Sequence, residues 1–414
     1  MNNICIFEDG LYENFLPLTY SRPVFELRCG FKNLREKIGY YFPKTKTYLI
    51  MRDYLNPLFS KNDFCVNEPP KGDVLFINGR LIMKELPNIE EEGVYSFNNE
   101  IVFIYVKEKS LIDLNISNYS DIEKLRKIGL PEFKVSNIVL IKYPWDLIKQ
   151  NSGEIKREFI LYKKEESKIP IDIDIMGDRN LVFLGKNVET EKNIVFDVRK
   201  GPIFIGDNTK IRAFSRIAGP TYVGNNCLIK SGRIENCSIG NVCKIGGEIE
   251  DSIFHGYSNK QHYGFIGHSY LGEWVNLGAG TSNSDLKDTY GLIKYKIAGK
   301  VIDSGEQFFG CVIGDNTKTS IGTMIYTGKK IGFAAHIHGI IYEDVPSFCM
   351  WAKSLGATPS ELYFDSAIMT YARAAERRGI TLTKEYEELT KKIFEITKDE
   401  RNDSGVTNNK FSLG

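Results

Sequence analysis

From residue 205 to residue 339 an aliphatic residue followed by a small or turn-forming one returns in steps of six. The run begins Ile205-Gly206, Ile211-Arg212, Ile217-Ala218, Val223-Gly224 and Ile229-Lys230, and continues through Ile239-Gly240, Ile245-Gly246, Ile266-Gly267, Leu271-Gly272 and Leu277-Gly278. It closes with Ile313-Gly314, Ile321-Gly322 and Ile331-Gly332. Six residues with one apolar member suit a short strand and a corner, so three hexads make one triangular coil. A single coil cannot bury its apolar corners, whereas stacked coils can. The pattern predicts a parallel β-helix and specifies no activity.

The hexads divide the chain. Residues 1–165 lack them and read as an α/β layer. Ile4–Phe7, Val74–Ile77 and Ile101–Val106 are short apolar runs of the length of buried strands, and Phe31, Leu34 and Ile38 share one helical face. Charged Lys163–Ser167 ahead of Pro170 marks a linker, assigned to 166–178, and the β-helix then occupies 179–345. Phe254–Gly264 reads as a polar interruption. Asn283–Gln307 reads as a loop or hairpin thrown out of the solenoid, where such insertions line a binding face. From 346 to 400 the period becomes helical, with starts at Pro359-Ser360-Glu361 and Thr383; this pair is expected to cap the open end of the solenoid. Residues 401–414 are polar and are expected to be a disordered tail.

Composition excludes some partners. A net charge of +1 argues against nucleic acid or an anionic membrane as the main partner, and no apolar run approaches a membrane span. The first residues lack the basic start and long apolar core of a secretory signal. Cysteines 5, 29, 65, 227, 237, 243, 311 and 349 form no Cys-x-x-Cys pair, so neither a zinc site nor a disulfide framework is indicated. A reducing cytoplasm is the expected location.

Several phrases resemble a known family. Glu8-Asp9-Gly10 with Leu16-Pro17-Leu18-Thr19-Tyr20-Ser21-Arg22-Pro23 is similar to the opening of sugar-1-phosphate nucleotidyltransferases. The hexads, with Pro144–Leu147, Gly256–Lys260, Leu271–Trp274 and Asn276–Ala279, resemble a shortened, divergent branch of the bifunctional N-acetylglucosamine-1-phosphate uridyltransferase / glucosamine-1-phosphate acetyltransferases. The resemblance implies a left-handed helix, a homotrimer, and acetyl-transfer sites between subunits that use acetyl-CoA.

Acyl transfer from a thioester to an amine needs a base, and histidine titrates near neutrality. The segment from His262 to Thr281 matches the family without gaps, which makes His262 the implied base, Asn276 a sugar contact and Ala279 the donor of a backbone amide to the oxyanion. Lys230 matches a phosphate-contacting arginine across a small gap, and Asn283 stands where the family has a further sugar contact. Phe265 replaces a substrate-contacting tyrosine and Glu250 a phosphate-contacting lysine, so the substrate contacts have changed more than the base. His255 and His268 border the same coils, and His336-Ile337-His338 puts two rings on one strand face, half of a metal site.

The first region keeps less of its chemistry. Active relatives wrap a triphosphate in a glycine-rich loop and hold Mg²⁺ on a carboxylate after a strand. Here Gly10 and Arg22 remain, Val24 stands in place of a lysine, and Arg80 follows Asn78-Gly79 where that carboxylate belongs. A cation there repels Mg²⁺. Arg22, Arg28 and Arg80 are left as candidates to gather on a nucleotide phosphate, with Asp9 or Asp146 as a relocated metal ligand.

The leading expectation is a sugar-phosphate N-acetyltransferase acting on an amino-sugar 1-phosphate such as glucosamine 1-phosphate, in sugar-nucleotide synthesis. One alternative is a truly bifunctional enzyme that also uses UTP or dTTP with Mg²⁺ to make a UDP- or dTDP-sugar. Others are a γ-carbonic-anhydrase-like hydratase on the same solenoid and a non-catalytic trimeric scaffold that binds sugar nucleotides.

Overall fold

The computed structural model describes all residues except 1, 60–62, 112–121, 123–128, 163–167, 172 and 413–414. The Lys163–Ser167 linker segment therefore lies outside the described residues. The architecture has the expected class: an α/β nucleotidyltransferase-like layer, a parallel β-helix of the left-handed hexapeptide type, and C-terminal helices.

Seven strands form the N-terminal sheet, in the order Cys65–Val66, Lys46–Ile50, Asn3–Phe7, Val74–Asn78, Glu100–Val106, Gly93–Phe97, Glu132–Lys134. The first four are parallel; Glu100–Val106 runs antiparallel to Val74–Asn78. Val74–Asn78 is buried along its whole length, as its unbroken apolar sequence requires. Helix Leu34–Tyr41 starts in a capping box in which Asn33 accepts from Glu36 N–H and Glu36 accepts in return. Phe31 lies before that helix instead of on its face, and stacks on Tyr222 of the solenoid at 4.4 Å between ring centroids. The long helix Pro144–Tyr162 runs along the same junction. Its Glu154 and Glu158 each accept from Lys37 Nζ at 2.7 Å, in a site from which water is excluded.

The solenoid carries its aliphatic corners inward, as the hexads require. Ile205 pairs with Val223, Val223 with Ile239, Ile239 with Phe254, and Phe254 with Leu271, one above another. Corners are turned by residues in the left-handed region, among them Asn208, Asn226 and Asn316. At Gly240 a Cβ would collide with the carbonyl of His255 on the next coil, so only glycine allows that stacking distance. The coils run from Asp174–Met176 to Cys349–Trp351, beyond both expected boundaries.

Four expectations are corrected. Phe254–Gly264 is no interruption, because Ile253–Gly256 and Asn259–Lys260 continue the ladders. The hexad is masked by Lys260, which sits opposite Ile245 in an inward position. Asn283–Gln307 does leave the coil, since Leu271 pairs directly with Ile313. Its hairpin, Lys294–Ile297 with Lys300–Asp303, nevertheless clamps the N-terminal domain: Ile293, Tyr295 and Ile297 bury themselves beside Trp145, Phe15 and Leu18. The last coil is covered by an antiparallel strand, Ser360–Glu361, while helices Phe364–Glu376 and Lys384–Ile396 lie on the flank. There Leu389 and Ile393 join Phe333 and Phe348 of the solenoid to Leu55 and Phe59 of the N-terminal domain. Finally, the expected disordered tail is tied down as far as it is described. Lys398–Asp403 is helical, Thr407 bonds with Pro359 and Glu361, and Phe411 stacks on His338. Among the described residues no helix is long and apolar enough to cross a membrane.

One carboxylate anchors the two domains to each other. Asp315 accepts from Arg22 Nη1 at 3.0 Å, Arg22 Nη2 at 2.6 Å and Ser21 Oγ at 2.6 Å, all buried. Glu273 stands 3.4 Å from the same guanidinium. Burial pushes the Glu273 carboxyl up, but the His255 and Arg22 contacts outweigh it and bring it down to about 2. Removing one member of a buried pair costs about 3–5 kcal/mol, whereas replacing both by apolar groups is close to neutral. Arg22→Met is expected to lower the denaturant midpoint accordingly, and Arg22→Met with Asp315→Asn, which removes the unpaired charge but keeps acceptors for Ser21 Oγ and the Glu273 N–H, to recover part of the loss. Equal midpoints for wild type and Arg22→Met would remove the junction from the stability argument. A depressed carboxylate contributes stability that is complete above its unfolded pKa of about 4.3 and is lost as pH falls toward its folded value. Wild type should therefore lose stability between about pH 4.3 and 2, and Arg22→Met should lose less over that window.

Candidate functional site

His262 lies at a bend between Asn259–Lys260 and Phe265–Gly267. Its ring is exposed, and no hydrogen-bond partner reaches it among the described residues. The bend is held from inside. Lys260 Nζ donates to the His262 carbonyl at 2.5 Å and to the Gly246 carbonyl at 3.4 Å, and burial lowers that ammonium to about 8. On the next coil Gly280 N–H donates to the Tyr263 carbonyl at 3.0 Å, which sets the Ala279 corner beside the His262 corner. Ala279 gives its carbonyl to Gly322 N–H at 2.7 Å, while its own N–H meets no protein acceptor among the described residues. An unengaged imidazole and an unengaged backbone amide thus occupy neighbouring coils.

Asn276 stands in an outward row that climbs the solenoid. Lys244 pairs with Asn259, Asn259 with Asn276, Asn276 with Lys318, and Lys318 with His336. Helix Phe364–Glu376 crosses this row and leaves a groove of about 330 Å³. Lys244, Lys318, Arg373, Arg377 and Arg378 line it, together with the row's asparagines and Gln261. Tyr257 and Trp274 stack at its edge, 4.6 Å apart and 12° from parallel. Arg378 Nη2 donates to Asn259 Oδ1 at 2.6 Å, and Asn259 Nδ2 to Asn276 Oδ1 at 3.2 Å. None of the five cations forms an ion pair with a carboxylate among the described residues.

Burial and like charge act together on part of this group. Burial lowers Lys244, and the charges of Arg378, Arg377 and Lys230 lower it further. Lys230 therefore contributes to the same positive region as Asn276. Burial brings Lys318 to about 8; burial together with Lys318 and His338 brings His336 to about 4, leaving it neutral near pH 7. The groove is not evident in the sequence, because Arg373, Arg377 and Arg378 lie far along the chain from Lys244, Asn259, Asn276 and Lys318. The cluster Arg373, Arg377, Arg378 was the available signal.

Other expected site residues are committed to the fold. Asn283 is buried and replaces a missing strand partner: its Oδ1 accepts from Gly267 N–H at 2.9 Å and its Nδ2 donates to the Gly267 carbonyl at 3.0 Å. It is not placed to bind a substrate. His255 bridges the domains, with Nε2 2.9 Å from the Glu26 carbonyl and Nδ1 3.2 Å from Glu273. His268 donates to Asp285 at 2.8 Å; burial opposes its protonation, but Asp285 and Asp251 raise its pKa overall. Among the described residues no three His, Cys, Asp or Glu side chains gather as a metal site, so His336 and His338 remain a pair.

The arginines expected to bind a nucleotide phosphate do not converge. Arg22 belongs to the Asp315 junction. Arg28 is half-buried, with its guanidinium donating to the Phe31 carbonyl and lying 5.8 Å from the Tyr222 ring centroid. Arg80 is buried and donates to Asp9 Oδ2 at 2.7 Å, Glu100 Oε2 at 2.5 Å and the Ile141 carbonyl at 2.6 Å. Gly10 opens a 3₁₀ turn capped by Asp9, and a Cβ there would meet nothing within 4 Å. No tight backbone cradle requires glycine at that point. The residues do not fit Mg²⁺ either: Asp9 is spent on Arg80, and Asp146 accepts the Lys142 and Tyr143 N–H groups at the start of a helix.

Comparison with known proteins follows the same division. Residues 4–167 match the sugar nucleotidyl transferase family model. A bifunctional sugar-1-phosphate nucleotidylyltransferase/acetyltransferase of Sulfurisphaera tokodaii is 28% identical over 282 residues, covering 63% of this chain and 61% of the relative. The bifunctional protein GlmU of Methanococcus aeolicus is 26% identical over 311 residues, covering 68% and 65%. The chain thus spans less than two thirds of the length of these two relatives, at 61% and 65%. Among solved structures, the Arabidopsis UDP-N-acetylglucosamine acyltransferase aligns over 57% of this chain and 92% of its own, with 15% identity and a TM-score of 0.28. The N-terminal region is similar to the sugar nucleotidyl transferases, and the chain as a whole resembles the bifunctional sugar-1-phosphate nucleotidyltransferase/acetyltransferases.

Proposed function

We propose that the protein is an acetyl-CoA-dependent N-acetyltransferase of an amino-sugar 1-phosphate, with an N-terminal domain that has given up nucleotidyl transfer. The observation that carries the reading is the free His262 imidazole beside the free Ala279 N–H on adjacent coils. The acceptor amine attacks the thioester carbonyl, His262 takes a proton from the nitrogen, and Ala279 N–H donates to the oxyanion that forms. Attack forms the C–N bond; collapse of the intermediate re-forms the carbonyl and breaks the C–S bond, and the proton held by His262 passes to the departing sulfur to release the thiol. Asn276 orients the sugar, and Lys230 adds positive charge near the phosphate.

Positioned acid–base catalysis contributes about 10²–10⁴-fold. His262→Ala is therefore expected to lower kcat by that order, with KM for acetyl-CoA little changed, because the imidazole acts mainly in the transition state. Thiol release from acetyl-CoA with glucosamine 1-phosphate provides the assay. Equal rates for wild type and His262→Ala would place the base elsewhere.

The paired state of Arg80 supports the second half of the reading, since both carboxylates near it already hold a cation. With UTP or dTTP, a sugar 1-phosphate and Mg²⁺, the protein should release almost no pyrophosphate. Turnover near about 1 per second or above, within the usual enzyme range, would restore the bifunctional reading.

The active assembly is proposed to be a homotrimer. Exposed Ile321, at 79% of its full accessibility, and Tyr263, at 74%, sit on coils with no intramolecular cover, as expected of faces that meet other subunits. Light scattering should give three times the monomer mass of 47.1 kDa. A monomer at every working concentration would exclude the trimer.

A further inference from the structure

We infer that the groove between the Lys244–Asn259–Asn276–Lys318 row and helix Phe364–Glu376 is the binding site for the acceptor's phosphate, and that the sugar lies along it toward the His262 corner. The inference deepens the proposed acetyl transfer and rests on it for the identity of the acceptor.

Three features point to a sugar phosphate. The first is charge. Five cations from two separate elements surround one space of about 330 Å³, and none is paired with a carboxylate among the described residues. Several buried cations elsewhere in the chain are treated differently: Lys37, Arg22, Arg52 and Arg80 each hold one or two carboxylates, while Lys260 is held by two backbone carbonyls. Arginines at a helix C-terminus complement the helix dipole, but that accounts for about half a unit of charge and does not explain two lysines on the facing solenoid. Beyond burial, the charges of Arg378 and Arg377 lower Lys244, and that of Arg377 lowers Arg378, a crowding of like charge that an anion in this space would relieve.

The second feature is the company the charges keep. Asn259, Asn276 and Gln261 offer amides, which can donate to and accept from sugar hydroxyls. The Tyr257–Trp274 stack supplies an aromatic wall for the C–H face of a pyranose ring. Arginine forks suit the oxygens of a phosphate monoester.

The third is position. Gln261 lines the groove and His262 is the next residue, with the two Cα atoms about 3.8 Å apart, so the corner that carries the base adjoins the groove's wall. The corner where the family resemblance would put the phosphate contact is hostile to an anion in this chain. Glu250 stands there beside Asp251 and Asp285; burial and those two charges raise its pKa against the opposing charges of Arg233, 3.9 Å away, and His268. The phosphate contact has moved from that corner to the groove.

Binding of glucosamine 1-phosphate, measured by calorimetry without acetyl-CoA, tests the site independently of catalysis. Wild type should bind glucosamine 1-phosphate at least about tenfold more tightly than glucosamine, and inorganic phosphate should compete. Arg377→Gln and Lys244→Gln should each weaken glucosamine 1-phosphate about tenfold or more and leave acetyl-CoA binding as it was. Arg377 is exposed, so its variant retains the fold, and an unchanged melting temperature of the free protein verifies this. Glucosamine 1-phosphate affinity that survives the Arg377→Gln, Lys244→Gln double variant would overturn the site. So would a loss confined to acetyl-CoA, which would assign the groove to the coenzyme's phosphate. Absence of acetyl transfer in a protein that still shows the predicted binding would defeat the proposed reaction while leaving the phosphate site in place.

Discussion

Asp315 does two jobs with one carboxylate. It follows Gly314 at a solenoid corner and accepts the Glu273 N–H at 2.8 Å, which closes the coil below. The same group takes the fork of Arg22 from the N-terminal domain. Arg22 is itself held in place: Arg52 donates to the carbonyls of Thr19 and Arg22 while gripping Glu8 through two nitrogens. The chain Glu8–Arg52–Arg22–Asp315 thus runs from the first strand of the sheet into the solenoid without leaving the interior. Each link is a charge-assisted bond in a dry site, so none can be removed without exposing its neighbour's desolvation cost.

That constraint decides what the N-terminal domain has left for chemistry. Nucleotidyl transfer needs cations free to meet phosphates and a carboxylate free to meet Mg²⁺. Arg22 is consumed by docking, and Arg80 with Asp9 and Glu100 forms a closed set of its own. The side chains that the family resemblance assigned to a nucleotide phosphate are engaged in contacts of this kind. The hairpin Lys294–Asp303 and helix Lys384–Ile396 add apolar contacts to the same junction.

Much of this was legible in the sequence and some of it was not, for physical reasons. The β-helix was legible because stacking demands an apolar residue at a fixed phase, and Ile205, Val223, Ile239 and Leu271 meet the demand. Lys260 broke the pattern without breaking the coil. A lysine can fill an aliphatic position if its amine finds carbonyls, and those of Gly246 and His262 become visible only in three dimensions. The hairpin was read as polar because Lys294, Lys296 and Lys300 dominate it. Its alternation of Ile293, Tyr295 and Ile297 was the strand signal, with one face buried. Arg80 was legible as an obstacle to Mg²⁺, but its partners were not, since Asp9 and Glu100 are distant in sequence. Asn283 looked like a ligand contact by its place in a motif and turned out to mend a backbone ladder. The groove escaped because its two walls come from opposite ends of the second half of the chain.

The contrast between the two sets of cations separates a used site from an open one. Two unit charges about 6 Å apart at an effective dielectric constant near 20 interact by about 3 kcal/mol. A paired arginine such as Arg80 has already collected that energy from its carboxylates, so a phosphate arriving beside it gains little and meets Asp9 and Glu100 as repulsion. In the groove the sign is reversed. Lys244, Lys318 and the three arginines repel one another, and any anion that enters is attracted by all of them while reducing their mutual repulsion. The stacked coils hold the lysines rigidly, and the Arg378–Asn259 bond ties the helix to the same row, so the cations are held close together before a ligand arrives. Preorganised, unpaired positive charge one residue from an unengaged imidazole is the arrangement that a phosphate-bearing amine requires.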